Sequence, residues 1–342
     1  AKNKVIDTVK VGTYPQEIAV SPDGTKAYVT SFSNNTVSVI DTSTNKVTAT
    51  VDVGNFPFGV AVSPDGKKAY VTNSGGYSTN FTGTVSVIDT ATNAVAATIY
   101  TGNNSLGVAF SPDGTKAYVM NSNIYHDPPA TISIINTTTN EVTATVNVGD
   151  TPRGVAVSLD GKKVYVAIQS PDSLTGAVNI IDTATNKVTA TVPVGKAPGG
   201  IEVTPDGTKV YVVNYASHAV SVIDTATEKV TDTVKVGKYP VEVAIGPFIG
   251  SSMTDQSTRA ISNVTEDIGI EETNLSSSKV KNAVELNDSN NNSNNSNNNS
   301  ESESDNGSSS NGNESSENNS IPGFGLLGGL TSLYGGWKLR KN

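Results

Sequence analysis

The chain has 342 residues, enough for one large domain or two ordinary ones. Its 23 basic and 32 acidic side chains leave a net charge of −9, a balance that argues against a nucleic-acid partner. The absence of cysteine excludes disulfide stapling, thiolate metal sites and cysteine nucleophiles, and leaves the redox compartment unread.

Valine and threonine recur throughout while leucine, arginine and methionine are scarce, so strands are the expected element. Ala1 leads directly into strand-like sequence. Either a leader has been removed or this is a piece of a longer chain. Lys4–Val11 then reads as the last strand of a repeat whose other strands do not precede it.

A self-similar unit runs from Thr13 to Pro247. Ser21-Pro22-Asp23-Gly24 returns at Ser63 and Ser111 and, as the variants Ser-Leu-Asp-Gly and Thr-Pro-Asp-Gly, at Ser158 and Thr204, in steps of 42, 48, 47 and 46 residues. That period fits one four-stranded propeller blade per repeat. Each unit opens on a Gly-x-x-Pro turn, as in Gly12–Pro15, and enters an apolar strand a such as Ile18–Val20. Pro-Asp-Gly closes the a–b hairpin, since Pro presets φ, Asp accepts local backbone bonds and Gly takes positive φ. Strands b (Ala69–Asn73), c (Val85–Asp89) and d (Lys187–Val192) come next, with Asp-Thr-x-Thr-Asn turning c into d. Alternation such as Val37, Val39 against Ser38 fits sheets packed face to face. Tyr28, Tyr70, Tyr118, Tyr165 and Tyr211 share one position in strand b. They are expected between blades, each with its hydroxyl at an edge. Val241–Ile245 is a strand a with no b or c after it. The fold class expected over residues 1–248 is therefore an all-β propeller, with five full blades and two strands of a sixth.

The tail reads as three further segments. Residues 249–286 are polar with weak alternation, and 287–320 are almost entirely Asn, Ser, Glu, Asp and Gly. The latter has no apolar residue to offset its ordering entropy and is expected to be a disordered stalk. In 321–342 an apolar, Gly-rich run is closed by Lys338-Leu339-Arg340-Lys341. Its 17 residues from Ile321 to Trp337 are marginal against the ~20 that a bilayer helix needs.

Tyr70-Val71-Thr72-Asn73, with Ser-Pro-Asp-Gly and Val-Ile-Asp-Thr around it, resembles the YVTN β-propeller repeat of surface-layer and surface-antigen proteins from methane-producing archaea. The resemblance implies a propeller outside the cell, without known catalysis. Pro322-Gly323-Phe324, the apolar run and the basic end resemble the PGF-CTERM sorting signal of archaeal surface proteins. That resemblance implies translocation, arrest by the basic end, cleavage near these three residues and transfer to a lipid, so that the membrane is reached through the C-terminal segment or the lipid added there. Asn-x-Ser/Thr acceptors stand at Asn34, Asn80, Asn103, Asn136, Asn263 and Asn274, with seven more in the stalk.

Chemistry is sparse. Strand a should line the central channel, and its matching positions hold Glu17, Gly59, Gly107, Gly154, Gly200 and Glu242. Small residues dominate there, which disfavours a paired-carboxylate hydrolase. The repeated aspartates already have turn roles, and one acid per blade spreads ligands too widely for calcium. His126 and His218 are isolated on loops, so neither haem nor zinc is expected and no cofactor is assigned. Variation concentrates in the b–c loops. These bring Tyr77, Phe81, Tyr125 and His126 to the face that holds Tyr14, Phe56, Phe58, Arg153 and Tyr239. Aromatic rings with scattered polar groups suit a glycan or protein partner. The leading expectation is a non-catalytic cell-surface protein of surface-layer or adhesion type. The alternative is an extracytoplasmic propeller enzyme or a redox or ligand carrier.

Overall fold

The computed structural model describes residues 4–75, 82–122, 129–170 and 173–245. Twenty strands among them form five antiparallel sheets of four, each in sequence order. Blade one is β1 (Pro15–Val20), β2 (Lys26–Ser31), β3 (Thr36–Asp41) and β4 (Lys46–Asp52). Blade two is β5 (Pro57–Val62), β6 (Lys68–Asn73), β7 (Gly83–Asp89) and β8 (Ala94–Gly102). Blade three is β9 (Ser105–Phe110), β10 (Lys116–Asn121), β11 (Ala130–Asn136) and β12 (Glu141–Gly149). Blade four is β13 (Thr151–Val157), β14 (Lys163–Gln169), β15 (Gly176–Asp182) and β16 (Lys187–Val194). Blade five is β17 (Pro198–Val203), β18 (Lys209–Asn214), β19 (Ala219–Asp224) and β20 (Lys229–Lys235). The first strand of each blade lies beside that of the next. The fold is a β-propeller of four-stranded antiparallel blades.

Turn chemistry sets the blade edges. Ser21 Oγ donates to Asp23 Oδ1 at 2.6 Å, and the Thr25 amide donates to the same oxygen at 3.0 Å. Gly24 completes the turn at φ +73°. The Ser21 hydroxyl first, and then the Thr25 amide, hold the Asp23 carboxyl below its ordinary range. At the c–d turn Asp41 accepts from Ser43 and Thr44, which brings it down to about 2. Asn45, Asn93, Asn140 and Asn186 take the left-handed conformation that ends these turns.

Apolar faces between blades make the core. Tyr28, Val37, Val39 and Val51 of blade one pack on Val60, Ala69 and Val71 of blade two, and the pattern recurs along the chain. Polar clips reinforce each joint. Thr30 Oγ1 donates to Phe58 O of the next blade at 2.8 Å, and Thr72 Oγ1 to Leu106 O at 2.5 Å. In blades one to four, the lysine that opens the second strand reaches the next blade's c–d turn. Lys26 Nζ donates to Thr90 O, Lys68 to Thr137 O, Lys116 to Thr183 O and Lys163 to Thr225 O.

Two expectations need correction. Tyr28, Tyr70, Tyr118 and Tyr165 are fully buried, but their hydroxyls do not all sit at an edge. Those of Tyr28 and Tyr118 are buried without a protein partner, whereas Tyr70 donates to Asn140 Oδ1 at 3.0 Å. The ring alone is what the blade joint needs. Lys4–Val11 and Val241–Ile245 form no strand, since no backbone ladder among the described residues takes them in. Both nonetheless sit where a sixth blade would begin and end. Val9 and Val11 pack on blade one at Ile18, Val20, Ala27, Val29 and Ile40, as Val51 and Val53 pack on blade two. Val241 O accepts from the Gly200 amide at 3.2 Å, beside β17. Residues 246–342, with the polar linker, stalk and terminal segment, lie outside the described residues.

Candidate interaction face

Antiparallel pairing puts the d–a turns and b–c loops at the same end of every blade, since Pro15 pairs with Ser31 and Pro57 with Asn73. Each d–a turn passes through a residue at positive φ: Gly149 (80°) in the turn into blade four, and Tyr14 (52°), Phe56 (55°), Asn104 (49°), Ala197 (49°) and Tyr239 (54°) in the others. The carbonyls of Tyr14, Phe56, Asn104 and Ala197 accept from the amide just past the second strand, as Tyr14 O from Phe32 N and Phe56 O from Ser74 N, each at 3.0 Å. Bulky aromatics disfavour this conformation, so three of them here mark stored strain.

The two blades with short b–c loops carry one aromatic device twice. In blade one Phe32 and Phe56 lie 5.0 Å apart at 44°, and Asn35 Oδ1 accepts from the Phe56 amide at 2.8 Å. In blade five Tyr215 and Tyr239 lie 5.1 Å apart at 40°, and His218 Nδ1 accepts from the Tyr239 amide at 3.0 Å. His218 also meets the Tyr239 ring edge-on at 4.7 Å. It is thus a positioning group rather than a solvated loop histidine. Sequence reasoning missed Phe32 and Tyr215. Their only signal is that each stands directly after the last residue of a second strand.

Of the residues expected on this face, Tyr14 and Tyr239 are the exposed ones, at 71% and 56%. Phe56 and Phe58 are half-buried, and Phe58 O is the acceptor for the Thr30 hydroxyl. Arg153 is half-buried with no partner on Nε, and burial lowers its pKa. Tyr77, Phe81, Tyr125 and His126 lie outside the described residues. Among the glycan acceptors, Asn34 and Asn103 are exposed at this end, and Asn136 is half-buried at the opposite c–d turn. Asn34 Oδ1 accepts from Thr13 N, and Asn136 Oδ1 accepts from Thr138 N at 2.9 Å. Asn80, Asn263 and Asn274, and the sorting residues Pro322, Gly323 and Phe324, lie outside the described residues.

One pair of acids stands apart from the turns. Burial lifts Glu202 to about 7. Glu242 is lifted to about 8 by burial and by the Glu202 charge, and the Val243 amide offsets part of this. Glu242 Oε2 is buried without a partner. A carboxyl raised on folding stabilises the protonated state, so its contribution is present below its ordinary pKa and is lost as pH rises towards 7–8. The seating of Val241–Ile245 against β17 should therefore loosen from pH 6 to 8.5. Exchange of the Gly200 amide, corrected for its intrinsic pH dependence, should accelerate about tenfold over that range. In Glu242→Gln the acceleration should be mostly gone, and an unchanged profile would remove Glu242 from the effect. No group of three acids or histidines that could hold a metal ion occurs among the described residues.

No protein-family model matches the sequence, and no curated protein does. Solved structures do match it in fold. A chain of hydrazine synthase from Kuenenia stuttgartiensis is 21% identical, with a TM-score of 0.50. The match covers 70% of this chain and 92% of that one. At that identity the likeness concerns the architecture alone.

Proposed function

We propose that this is a non-catalytic cell-surface propeller, of surface-layer or adhesion type, whose d–a and b–c face binds a glycan or protein partner. The carrying observation is the strained, exposed pair Tyr14 and Tyr239, backed by half-buried Phe32, Phe56 and Tyr215. Exposed rings stacked on a fixed backbone suit sugar faces or a protein hot spot, because little side-chain freedom is lost on binding. Attachment through the 321–342 segment, or through a lipid added there, belongs to the same reading, and it rests on the sequence resemblance and on the basic end of that segment.

One experiment addresses both parts. Full-length chain should stay with the cell envelope, and chain lacking 321–342 should appear in the medium. The released protein then serves as a probe for envelope material and arrayed glycans. Tyr14→Gly with Tyr239→Gly relieves the positive φ, so the melting temperature should hold or rise slightly. Binding should fall about tenfold or more, since truncating an anchoring aromatic costs upwards of about 1.4 kcal/mol. Unchanged binding would remove this face, and retention without 321–342 would remove the anchor. The alternative enzyme or ligand-carrier reading has Glu202 and Glu242 as its feature, and a visible absorption band in the purified protein would favour it.

A further inference from the structure

The two ends of the described chain are copies of each other. Lys4–Val20 and Lys229–Ile245 agree at 12 of 17 positions, including Tyr14-Pro15 with Tyr239-Pro240 and Glu17 with Glu242. The four first strands between them carry Gly59, Gly107, Gly154 and Gly200 where these two carry Glu. The stretch after blade five is therefore the start of a blade of the blade-one type.

The surfaces agree with that register. Val234 is 44% exposed where its counterparts Val51, Ile99, Val146 and Val192 are buried, and Tyr211 is half-buried where the other four tyrosines are fully covered. Lys209 holds the latch position, but its Nζ makes no hydrogen bond to another blade among the described residues, its charge acting on Asp224 of its own blade, and the acceptors of blade one that match Thr90 O and Asn93 Oδ1, namely Thr42 O and Asn45 Oδ1, receive no lysine among those residues. Both end segments are lightly held, without any strand ladder. They occupy the sites that a neighbouring blade would fill.

We propose that the outward face of blade five is a docking surface for blade one of a second copy of this chain. In the joint, β20 with Val234 and Val236 takes the place that Lys4–Val11 fills with Val9 and Val11. The second copy's β1, with Glu17, replaces Val241–Ile245 beside β17. Lys209 then closes on Thr42 O and Asn45 Oδ1 of the second copy, and the contact repeats the interface formed four times within one chain. It is a head-to-tail contact, so it leaves a free end at each side and the assembly grows beyond a dimer. Two acids keep it reversible: Glu202 and Asp232 stand where blades one to four carry Ala19, Ala61, Ala109 and Ala156, and Ala49, Ala97, Ala144 and Ala190.

The lack of cysteine makes a direct test simple. Full chains carrying Lys209→Cys or Asn45→Cys alone are mixed and treated with a short bis-maleimide. The mixture should give a linked dimer that neither variant gives by itself. Sedimentation of the unmodified full chain should show mass rising past dimer with concentration. Lys209→Ala should weaken association about tenfold, the worth of one charge-assisted hydrogen bond, and Glu202→Ala should strengthen it by a similar factor. Association driven by the terminal apolar run would show neither response nor any position-specific link, and would overturn the proposal. So would a Lys209→Cys/Asn45→Cys chain that links only within itself, because that result means the blades close on one another in a single copy.

Discussion

Tyr118→Ala should destabilise the propeller by about 3–5 kcal/mol, the range for removing a large buried ring whose surroundings cannot collapse. Tyr118 is fully covered between β10 and blade four, packed with Ile132, Ile134, Val164 and Val166. Tyr118→Phe should cost almost nothing, because the hydroxyl is buried without a protein partner and its removal ends a desolvation penalty. Tyr70→Phe differs. Its hydroxyl donates to Asn140 Oδ1 at 3.0 Å, so losing it should cost about 1 kcal/mol. Burial holds both phenols up at about 12, so neither result should depend on pH below 10. Denaturant midpoints at constant slope would decide the matter. Equal costs for the two Phe variants would mean that the Tyr70–Asn140 bond contributes nothing.

The blades were legible because their signals are local. Pro-Asp-Gly and Asp-Thr-x-Thr-Asn act within four or five residues, and Asp23, Asp41 and their counterparts do form the bonds that the turn chemistry requires. The four-stranded order comes from the spacing of those turns. The contacts that join one blade to the next were not legible. Lys26 and Thr90 lie 64 residues apart, and Thr72 and Leu106 lie 34 apart. A lysine opening a strand looks in sequence like any solvated residue.

The candidate face was legible in outline only. Loop aromatics announce themselves by type, and the antiparallel repeat places d–a turns beside b–c loops. Which aromatics pair depended on a backbone conformation that sequence disfavours. Tyr14, Phe56 and Tyr239 at positive φ break the local preference, and only the bonds that the Phe32 and Ser74 amides donate, and the one that His218 Nδ1 accepts from the Tyr239 amide, make that conformation understandable. Glu202 shows the opposite case. An acid where the other first strands carry Ala is plain in the sequence, yet its raised pKa comes from burial, which no local signal announces.

Gly154→Ala should be strongly disruptive for a single added methyl, costing about 3 kcal/mol or more by overpacking. A Cβ there would lie 2.5 Å from Gly199 O and 2.9 Å from Ile201 Cγ2, both on β17 of the next blade. Neither atom can yield cheaply: one is backbone, and the other is in the apolar joint formed by Ala156, Tyr165 and Val203. The neighbouring first strands would have to separate, opening that joint along its length. Two further glycines isolate the cause. Gly149 has φ +80° and nothing within 4 Å of a Cβ, so Gly149→Ala should show only backbone strain, about 1–2 kcal/mol. Gly237 has neither positive φ nor a neighbour, so Gly237→Ala should be neutral or stabilising by up to ~1 kcal/mol. The expected order of denaturant midpoints is Gly237→Ala, then Gly149→Ala, then Gly154→Ala well below both. A midpoint for Gly154→Ala at or above that of Gly149→Ala would show that β13 and β17 do not touch at this point, and that the blades stand further apart than a backbone-to-backbone joint allows.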